Sequence, residues 1–423
     1  SSGRSLAPSA CATKLARTRA AGRWRTAMPP RKLSRGRNGS ANGEAETAQA
    51  AKDGDAPDET DNANYFCEYA YLYHQMDMLE DNHRTGSYYN ACLHNPKSFE
   101  GKVVLDVGAG SGILSIFAAK AGAKQVFAVE ATDMAVRARK ICEAQGLGHI
   151  ITVLQGTVET VQLPCQVDII ISEWMGYLLL RESMLDSVLI ARDRFLKPGG
   201  AMYPSHATLY LAPVGASKVL QDKKSLFEGE IERWETFTGR MSSWYEADYS
   251  CMKEEFMAEQ RKYYLETSSF INLTPKQIVA PGRPILEIDL HTVSLEELKN
   301  PSAPSKCSIG ISKTGPVEGF TGYFDNWFRG SAENKAEEEV KLTTAPTTGA
   351  HTHWGQQLFG FYPPLDAQKG DTLECEVLIK RQQKNHRLLH LVTHFRLLRQ
   401  PASASGDGEP VVVAERKGNY YVD

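Results

Sequence analysis

The chain has 423 residues, a formal net charge of −3 and eight cysteines. Its length exceeds one ordinary core and predicts two domains plus tails, while its near-balanced charge argues against binding nucleic acid through bulk charge. The cysteines are widely spaced without a C-x-x-C pair, which is typical of a reducing intracellular compartment, and the lack of a membrane-length apolar run predicts a soluble protein.

Residues 1–60 differ in composition from the rest of the chain. They are rich in Ser, Ala, Gly and Arg, and ten Lys or Arg residues precede the first acid, Glu44. Such a segment cannot bury a core, so we predict a disordered basic tail. The stretch before Met28 is interpreted as an upstream extension of the reading frame, with an organelle transit peptide as the alternative. Residues 53–64 then form a polar, acidic linker.

Aromatic residues recur at helical spacing from Tyr65 to about residue 79. Aromatic and apolar residues in this pattern usually belong to a core, and we expect this for Phe66 and Leu72. The alternative is a helix that folds as a lid over a ligand bound by the next segment.

That next segment is an apolar run that breaks into three alternate glycines, Gly108, Gly110 and Gly112. Residues 102–107 are typical of a strand buried on both faces, and residues 113–121 are typical of a helix packed on it. Residues without Cβ allow a sharp turn and close approach of a ligand, and the start of the helix offers unpaired N–H groups. The pattern predicts a cofactor-binding loop.

The glycine spacing distinguishes two cofactors. The dinucleotide fingerprint is G-x-G-x-x-G, whereas this loop is one residue tighter and follows Asp106. A carboxylate there would repel a pyrophosphate but would suit the ammonium of an amino acid. A second strand, residues 125–129, ends at Glu130, whose carboxylate could bind both hydroxyls of a ribose. The pattern favours S-adenosylmethionine over NAD, and an ordinary glycine-rich turn is the alternative.

A helix at residues 135–145 and strands at 150–154 and 167–172 lead to a pair of carboxylates, Glu173 and Glu182. Two carboxylates in an apolar loop are costly unless a cation neutralises them. A planar guanidinium with five N–H donors can bind both. The alternative is that they are ordinary solvated acids or ion-pair partners, one of them paired with Arg181.

A guanidinium acceptor also agrees with methyl transfer. Its nitrogen lone pairs are spread over the π system, and two carboxylates can concentrate positive charge on the nitrogens they bind while aiming another nitrogen at a sulfonium methyl. Because the pKa of arginine lies above about 12, no ordinary base removes its proton first. Proton loss must accompany or follow the transfer.

Ser183 is then predicted to cap a helix that runs to about Arg194 and stops before residues 198–200.

After Pro204 the chain changes to short alternating segments separated by turn residues, which predicts an all-β sandwich or barrel. These segments are residues 285–293, 339–343, 373–379 and 388–397. Residues 218–252 are inserted as a helical arm that is rich in aromatic residues. Such an arm packs on its own barrel or buries its aromatics against another subunit. The aromatic residues are Trp234, Phe237, Trp244 and Tyr245.

Taken together, the motifs resemble those of the protein arginine methyltransferases that make asymmetric dimethylarginine. The resemblance covers most of residues 61–400. It implies a Rossmann-like S-adenosylmethionine-dependent domain at residues 61–204 with an N-terminal lid helix, then a β-barrel substrate-binding domain at 205–423 with a dimerisation arm at 218–252. The matching motifs are Tyr65-Phe66-x-x-Tyr69, Val104-Leu105-Asp106-Val107-Gly108-x-Gly110-x-Gly112, Val129-Glu130, Ser172-Glu173-Trp174-Met175-Gly176-Tyr177 through Glu182-Ser183-Met184, and Thr352-His353-Trp354-Gly355-Gln356.

The resemblance also implies roles for individual residues. Glu173 and Glu182 would bind the substrate arginine, and His353 would meet Asp81 across the domains and assist proton release. Arg84 would bind the methionine carboxylate of the cofactor. The full set of implied cofactor-binding residues is Tyr69, Gln75, Met78, Arg84, Asp106, Gly108, Gly110, Gly112, Glu130, Val158, Glu159 and Met184.

Within that set, Val158 and Glu159 would contact the adenine, and Met78 and Met184 would crowd the acceptor nitrogen. Gln75 is a departure, because many family members have a histidine there that touches the cofactor carboxylate. This difference bears on cofactor affinity rather than on the reaction.

The resemblance implies an enzyme that acts as a homodimer on basic Arg-rich or Arg-Gly segments of proteins such as histones, in the nucleus and cytoplasm. We expect no direct nucleic-acid or membrane binding. No metal is expected, because His351 and His353 have no further ligand at suitable spacing. The alternatives are a small-molecule methyltransferase, which has no need of two carboxylates for a guanidinium, and a catalytically silent interaction module. An NAD-dependent dehydrogenase is disfavoured by the glycine spacing.

Overall fold

The computed structural model describes residues 65–66, 69–346, 351–401 and 409–423. The predicted tail at residues 1–60 and the linker at 53–64 lie outside the described residues. Among the described residues, no helix is both long enough and apolar enough to cross a bilayer.

The first half is built on a five-stranded parallel sheet with the spatial order β3-β2-β1-β4-β5. Four of the five residues of the central strand are fully buried, which explains its nearly continuous apolar sequence. The strands are β1 (Val103–Val107), β2 (Gln125–Glu130), β3 (Ile151–Gln155), β4 (Val167–Ile171) and β5 (Leu196–Tyr203).

Six helices with defined bounds accompany this sheet within the described residues. The predicted strands and the helices at residues 113–121 and 135–145 differ from the observed bounds by one residue at most. The predicted helix stop at residues 198–200 lies inside β5, because the helix that ends at Phe195 leads directly into that strand. The helices are α1 (Leu72–Glu80), α2 (Asn82–Leu93), α3 (Pro96–Phe99), α4 (Ile113–Lys120), α5 (Met134–Ala144) and α6 (Met184–Phe195).

The second half consists of two antiparallel sheets. One has the order β7-β12-β10-β6-β8, with β11 paired to β10, and the other has the order β15-β14-β13-β9. Their strands are β6 (His206–Val214), β7 (Ser269–Ile271), β8 (Arg283–Asp289), β9 (Ser305–Gly310), β10 (Gly315–Gly330), β11 (Lys335–Thr343), β12 (Gln356–Ala367), β13 (Thr372–Arg381), β14 (Leu389–Arg399) and β15 (Val411–Val422).

Aromatic side chains from both sheets form one core. The Phe320 ring of β10 lies 4.7 Å from that of Phe359, 4.9 Å from that of Phe395 in β14 and 5.2 Å from that of Tyr420 in β15. The two sheets therefore close on each other like a barrel. This confirms the predicted fold class, a Rossmann-like α/β domain followed by a β-barrel domain.

The helical arm is longer than predicted. It comprises α7 (Lys218–Tyr245), a 3₁₀ turn (Ser250–Met252), α8 (Lys253–Arg261) and a π turn (Lys262–Glu266). Trp234 stacks on Phe256 with ring centroids 4.5 Å apart, so part of the aromatic content packs within the arm. Trp244 and Tyr245 remain 62% and 68% exposed. A 3₁₀ turn (Pro275–Gln277) and the short helix α9 (Leu295–Lys299) complete the second half.

The two halves are packed together at several points. Tyr88 of α2 contacts the Phe328 ring of β10, with ring centroids 4.8 Å apart, and the indole Nε1 of Trp354 donates to the Met175 carbonyl at 2.9 Å. Leu72, by contrast, is 49% exposed, so the expectation that it belongs to the core was wrong. It lies on the exposed face of α1, beside Tyr73 and Met76.

Candidate active site

A cavity of about 530 Å³ lies at the carboxyl ends of β1, β2 and β4. This is where ligands bind in open α/β sheets. Twelve of the sixteen site residues proposed from the sequence line it, and Asp81, Asp106, Gly112 and His353 do not. The twelve are Tyr69, Gln75, Met78, Arg84, Gly108, Gly110, Glu130, Val158, Glu159, Glu173, Glu182 and Met184.

The glycine loop forms one wall of the cavity. Gly108 and Gly110 have φ angles of 71° and 54°, which favour a residue without Cβ. A Cβ on Gly108 would lie 2.8 Å from Met184 Cε, and one on Gly110 would lie 2.8 Å from Gln75 Oε1. A side chain at either position would collide with these neighbours, and because both glycines line the cavity, their backbone is accessible to a ligand.

Glu130 and Gln75 tie the loop to its neighbours. Glu130 Oε2 accepts from Gly110 N at 2.8 Å, and its Oε1 accepts from the N–H and hydroxyl of Thr132 at 2.8 and 2.7 Å. Gln75 Oε1 accepts from Ser111 N at 3.1 Å, while its amide donates to the Tyr69 carbonyl at 3.2 Å. The helix α1 is thereby docked on the loop.

Asp106 does not face the cavity, contrary to what the sequence led us to expect. Its side chain is fully buried beneath the loop, where Oδ2 accepts from the Ser115 hydroxyl at 2.7 Å. Burial raises the pKa of Asp106 to about 7, although the hydrogen bonds from Ser115 oppose this. Gly112 faces Cys142 of α5 instead of the cavity. The Asp106 carboxylate points away from the cavity because it bonds to Ser115, which lies in the first turn of α4 beneath the loop.

Glu173 and Glu182 lie in the same cavity. Glu173 Oε2 accepts from Arg84 Nη2 at 2.6 Å and Nε at 2.9 Å, and its Oε1 accepts from Met175 N at 3.1 Å. Glu182 Oε2 accepts from the Tyr69 hydroxyl at 2.7 Å. The ion-pair alternative is therefore met for Glu173, whose partner is Arg84. The pair suggested with Arg181 is longer, because Arg181 Nη1 lies 3.6 Å from Glu182 Oε1.

These contacts shift the proton affinities of the site. Burial raises the pKa of Glu182 above that of an ordinary glutamate, and the nearby Glu173 raises it further, while the Tyr69 hydrogen bond and Arg181 act in the opposite direction. Burial also raises the pKa values of Tyr65 and Tyr69, with Glu182 as the next cause. Both phenols therefore stay protonated and can donate to a carboxylate.

The glutamate loop, residues 173–183, has a strained backbone. Leu178, Leu179, Glu182 and Ser183 have φ angles of 52°, 68°, 81° and 57°, in the left-handed region that residues with Cβ rarely adopt. Ser183 precedes α6, but its hydroxyl donates to the His386 carbonyl at 2.7 Å and makes no capping bond. Strain of this kind persists only where surrounding contacts hold it.

Asp81 and His353 meet across the two halves. Asp81 Oδ2 accepts from both the backbone N–H and Nδ1 of His353 at 2.8 Å, and Oδ1 accepts from the N–H groups of His83 and Arg84. Burial alone would raise the pKa of Asp81, but these hydrogen bonds outweigh it and lower the pKa to about 2. The ionised form therefore stabilises the fold above the ordinary pKa of 3.8, and this contribution is lost as the pH falls through about 2.

Within the described ranges, no cluster of three or more His, Cys, Asp or Glu side chains could hold a metal ion. Sequence reasoning missed several residues that line the cavity, and two of them come from the second half of the chain. His386 and Arg387, from the hairpin between β13 and β14, line it beside Glu182. No motif marks this hairpin in the sequence.

Comparison with known proteins agrees with this geometry. Residues 82–203 match the family model of the ribosomal protein L11 methyltransferase (PrmA), and residues 205–400 match that of the arginine methyltransferase oligomerization subdomain. The chain is 46% identical over 333 residues to protein arginine N-methyltransferase PRMT10 of Arabidopsis thaliana, covering 79% of this chain and 86% of the relative. It is 44% identical over 357 residues to PRMT10 of Oryza sativa subsp. japonica, covering 84% and 93%.

Solved structures give the same result. The crystal structure of Arabidopsis thaliana protein arginine methyltransferase 10, described as uniquely open, matches with a TM-score of 0.79 and 42% identity, over 85% of this chain and all of that one. The Trypanosoma brucei PRMT1 enzyme-prozyme complex with AdoHcy matches with a TM-score of 0.68 and 30% identity, over 84% of this chain and all of that one. The resemblance to the protein arginine methyltransferases is confirmed at the level of the family, and the chain belongs to the protein arginine N-methyltransferase family.

Proposed function

We propose that this arginine N-methyltransferase transfers methyl groups from S-adenosylmethionine to guanidino nitrogens of arginine in proteins such as histones, giving mono- and asymmetric dimethylarginine. The observation that supports this most strongly is the shared cavity of Glu173 and Glu182 beside the glycine loop. A cavity without acidic side chains would suit a small neutral acceptor, whereas two carboxylates suit a guanidinium. We further propose that residues 61–204 bind the cofactor and residues 205–423 serve substrate binding and dimerisation.

The residues present fit S-adenosylmethionine. Gly108 and Gly110 leave backbone exposed, Glu130 is fixed at the end of β2 for a ribose, and Val158 and Glu159 offer an apolar and a polar contact for an adenine. The bound cofactor would supply a sulfonium methyl group. The Trypanosoma brucei relative was solved in complex with AdoHcy, and the crystal structure of a second relative is that of PRMT6-SAH. Arg84 would bind the carboxylate end of the cofactor from its position against Glu173.

In the proposed mechanism the two glutamates hold the substrate guanidinium by forked hydrogen bonds and keep positive charge on the nitrogens they contact. The remaining nitrogen is thereby aimed at the methyl group, and orientation contributes much of the rate. Because the methylated guanidinium must lose one proton to keep a single positive charge, we propose that His353, held by Asp81, assists the release of that proton. Met78 and Met184 line the cavity beside this position. We propose that their bulk restricts a second methylation to the nitrogen already methylated, which gives the asymmetric product.

The test is mass spectrometry of an Arg-Gly peptide and of a histone-tail peptide after incubation with S-adenosylmethionine. We expect mass gains of one and two methyl groups on arginine, with fragment ions of the asymmetric isomer. Symmetric dimethylarginine would contradict the type of product, and methylation of lysine alone would contradict the acceptor. A chain that binds S-adenosylhomocysteine without modifying any peptide would support the silent interaction module instead.

We also propose that the enzyme works as a homodimer in the nucleus and cytoplasm, on basic Arg-rich segments. The match to the oligomerization subdomain and the exposed aromatics of the arm support the dimer. Imaging of a fluorescent fusion in living cells would test the location, and confinement to an organelle would favour the transit-peptide interpretation of the basic tail.

We also predict how kcat/KM depends on pH on the acid side of its profile. Transfer requires ionised Glu182, whose pKa is raised, so kcat/KM should fall as the pH decreases through a value above that of an ordinary glutamate. Tyr69→Phe removes a hydrogen bond that stabilises the ionised form, and it should move this limb to higher pH. The titratable and charged groups that face Glu182 are Tyr65, Tyr69, Glu173, Arg181 and Arg387. An acid limb at or below the pKa of an exposed glutamate would contradict the assignment.

The contact between Asp81 and His353 predicts a moderate loss of kcat when His353 is replaced. His353→Ala should lower kcat by about 10- to 100-fold, within the range for loss of an acid-base group or of its orientation. Initial rates at saturating cofactor and peptide would measure it. His351→Ala is the matched control, because His351 is exposed and two residues away. Equal losses in the two variants would exclude a specific role for His353.

A further inference from the structure

The hairpin of residues 382–388, between β13 and β14, reaches from the second half of the chain to the glutamate loop. Glu182 N donates to the Arg387 carbonyl at 2.7 Å, and the Ser183 hydroxyl donates to the His386 carbonyl at 2.7 Å. At its base, Arg381 forms a forked pair with Asp186 of α6, with N···O distances of 2.7 and 2.6 Å. The hairpin is thus fixed against the start of α6.

The side chain of Arg387 contacts two other parts of the cavity wall. Its Nη1 donates to the Glu182 carbonyl at 2.7 Å, and its guanidinium carbon lies 3.9 Å from the centroid of the Tyr65 ring and 5.8 Å from that of Phe66. A guanidinium at this distance over an aromatic face is attracted to it. One side chain therefore joins the glutamate loop to the aromatic segment, which comprises Tyr65, Phe66 and Tyr69.

These contacts bear on the backbone of Glu182. With a φ of 81°, this residue holds a conformation that is unfavourable for a side chain with Cβ. Both of its backbone polar groups bond to Arg387, the N–H to the carbonyl and the carbonyl to the guanidinium. Its carboxylate accepts from Tyr69, which belongs to the same aromatic segment. The direction of the Glu182 carboxylate thus depends on Arg387 and on the aromatic segment together.

We propose that Arg387 is a positioning residue that couples closure of the aromatic segment over the cofactor cavity to the orientation of Glu182. The inference deepens the proposed function, because it rests on Glu182 as a ligand of the substrate arginine. Two properties of Arg387 contribute. Its planar guanidinium donates to the Glu182 carbonyl while it faces the Tyr65 ring, and its positive charge favours the ionised form of Glu182.

Two variants separate these properties. Arg387→Lys keeps the charge but loses the planar guanidinium, and we expect kcat to fall by about 10-fold with an unchanged acid limb and a peptide KM within about 2-fold of the original. Arg387→Met loses the charge as well, so kcat should fall by about 100-fold and the acid limb should move to higher pH. Arg387→Met should also weaken S-adenosylhomocysteine binding by several-fold, measured by calorimetry, because Tyr65 loses the cation over its ring; Arg387→Lys should weaken it less.

Lys384→Ala is the matched control, since it removes an exposed cation from the tip of the same hairpin. In this variant kcat, the acid limb, the peptide KM and the affinity for S-adenosylhomocysteine should stay unchanged. The proposal is overturned if Arg387→Met keeps the original pH profile and cofactor affinity, or if both variants lose activity only in proportion to a lower melting temperature. Calorimetry needs no turnover, so the coupling to the cofactor cavity is measured even if no peptide is methylated. Failure of the unaltered enzyme to methylate arginine would instead refute the proposed function.

Discussion

Replacing Glu182 with glutamine is expected to abolish methyl transfer while leaving cofactor binding intact. Glutamine keeps the size of the side chain and an oxygen that can accept from the Tyr69 hydroxyl, a bond that is 2.7 Å long in this structure. It loses the negative charge, and it turns an N–H₂ group toward a guanidinium that has only donors. We expect kcat to fall by about 10³-fold, which corresponds to roughly 4 kcal/mol of transition-state stabilisation.

The measurement combines turnover of an Arg-Gly peptide with calorimetry of S-adenosylhomocysteine. Glu159→Gln is the contrasting variant in the same cavity, where Glu159 Oε1 accepts from the Ser187 hydroxyl at 2.8 Å. This change should weaken cofactor binding but leave kcat at saturating cofactor within about 2-fold, because it removes binding that is equal in ground and transition states. A Glu182→Gln enzyme that retains about a tenth of the original kcat would refute the paired-carboxylate mechanism.

The second large loss of activity is expected from substitutions at the end of α7 in the arm. Replacing Trp244 and Tyr245 with serine should convert a dimer into an inactive monomer. Both side chains are mostly exposed, at 62% and 68%, and exposed aromatics grouped on a projecting element are typical of a binding hot spot. The substitution leaves Leu220 and Phe227, which are buried at the base of the arm, untouched. The arm itself should therefore stay folded.

The loss of activity follows from what the arm is expected to contact. The helix α1 exposes Leu72, Tyr73 and Met76 on its outer face, and its Gln75 bonds to the glycine loop on the inner face. An arm from the partner subunit that covers this outer face would hold the cavity wall in place. Without it, we expect a loss of activity of about 100-fold or more, as is found when catalytic geometry is displaced by about 1 Å.

Light scattering gives the mass in solution, and the peptide assay gives the activity. Deleting residues 218–252 should produce the same inactive monomer, but it also removes buried residues and is the less specific test. Val412→Ser is the control, because Val412 is 52% exposed on β15 and lies outside the arm. An active monomer of the double variant would show that dimerisation and catalysis are independent.

Much of the first half follows from local sequence. Buried parallel strands require short apolar runs and the cofactor loop requires glycine, so the bounds of β1 to β4 could be predicted to within one residue. The position of the arm could be predicted but its C-terminal end could not, because a 3₁₀ turn and a π turn extend it to Glu266 without a periodic pattern in the sequence. Leu72 was assigned to the core because helical spacing shows that a face is apolar, but not whether another element covers it.

The sequence by itself determined the family, the fold class and twelve of the residues that line the cavity, because each follows from residue types within short motifs. Only the tertiary structure decided that Asp106 turns beneath the loop toward Ser115, that Arg84 pairs with Glu173, and that Arg387 enters the cavity. Arg387 and Glu182 are 205 positions apart. Contacts over such separations arise from the packing of two domains, and no local pattern of spacing or propensity encodes them.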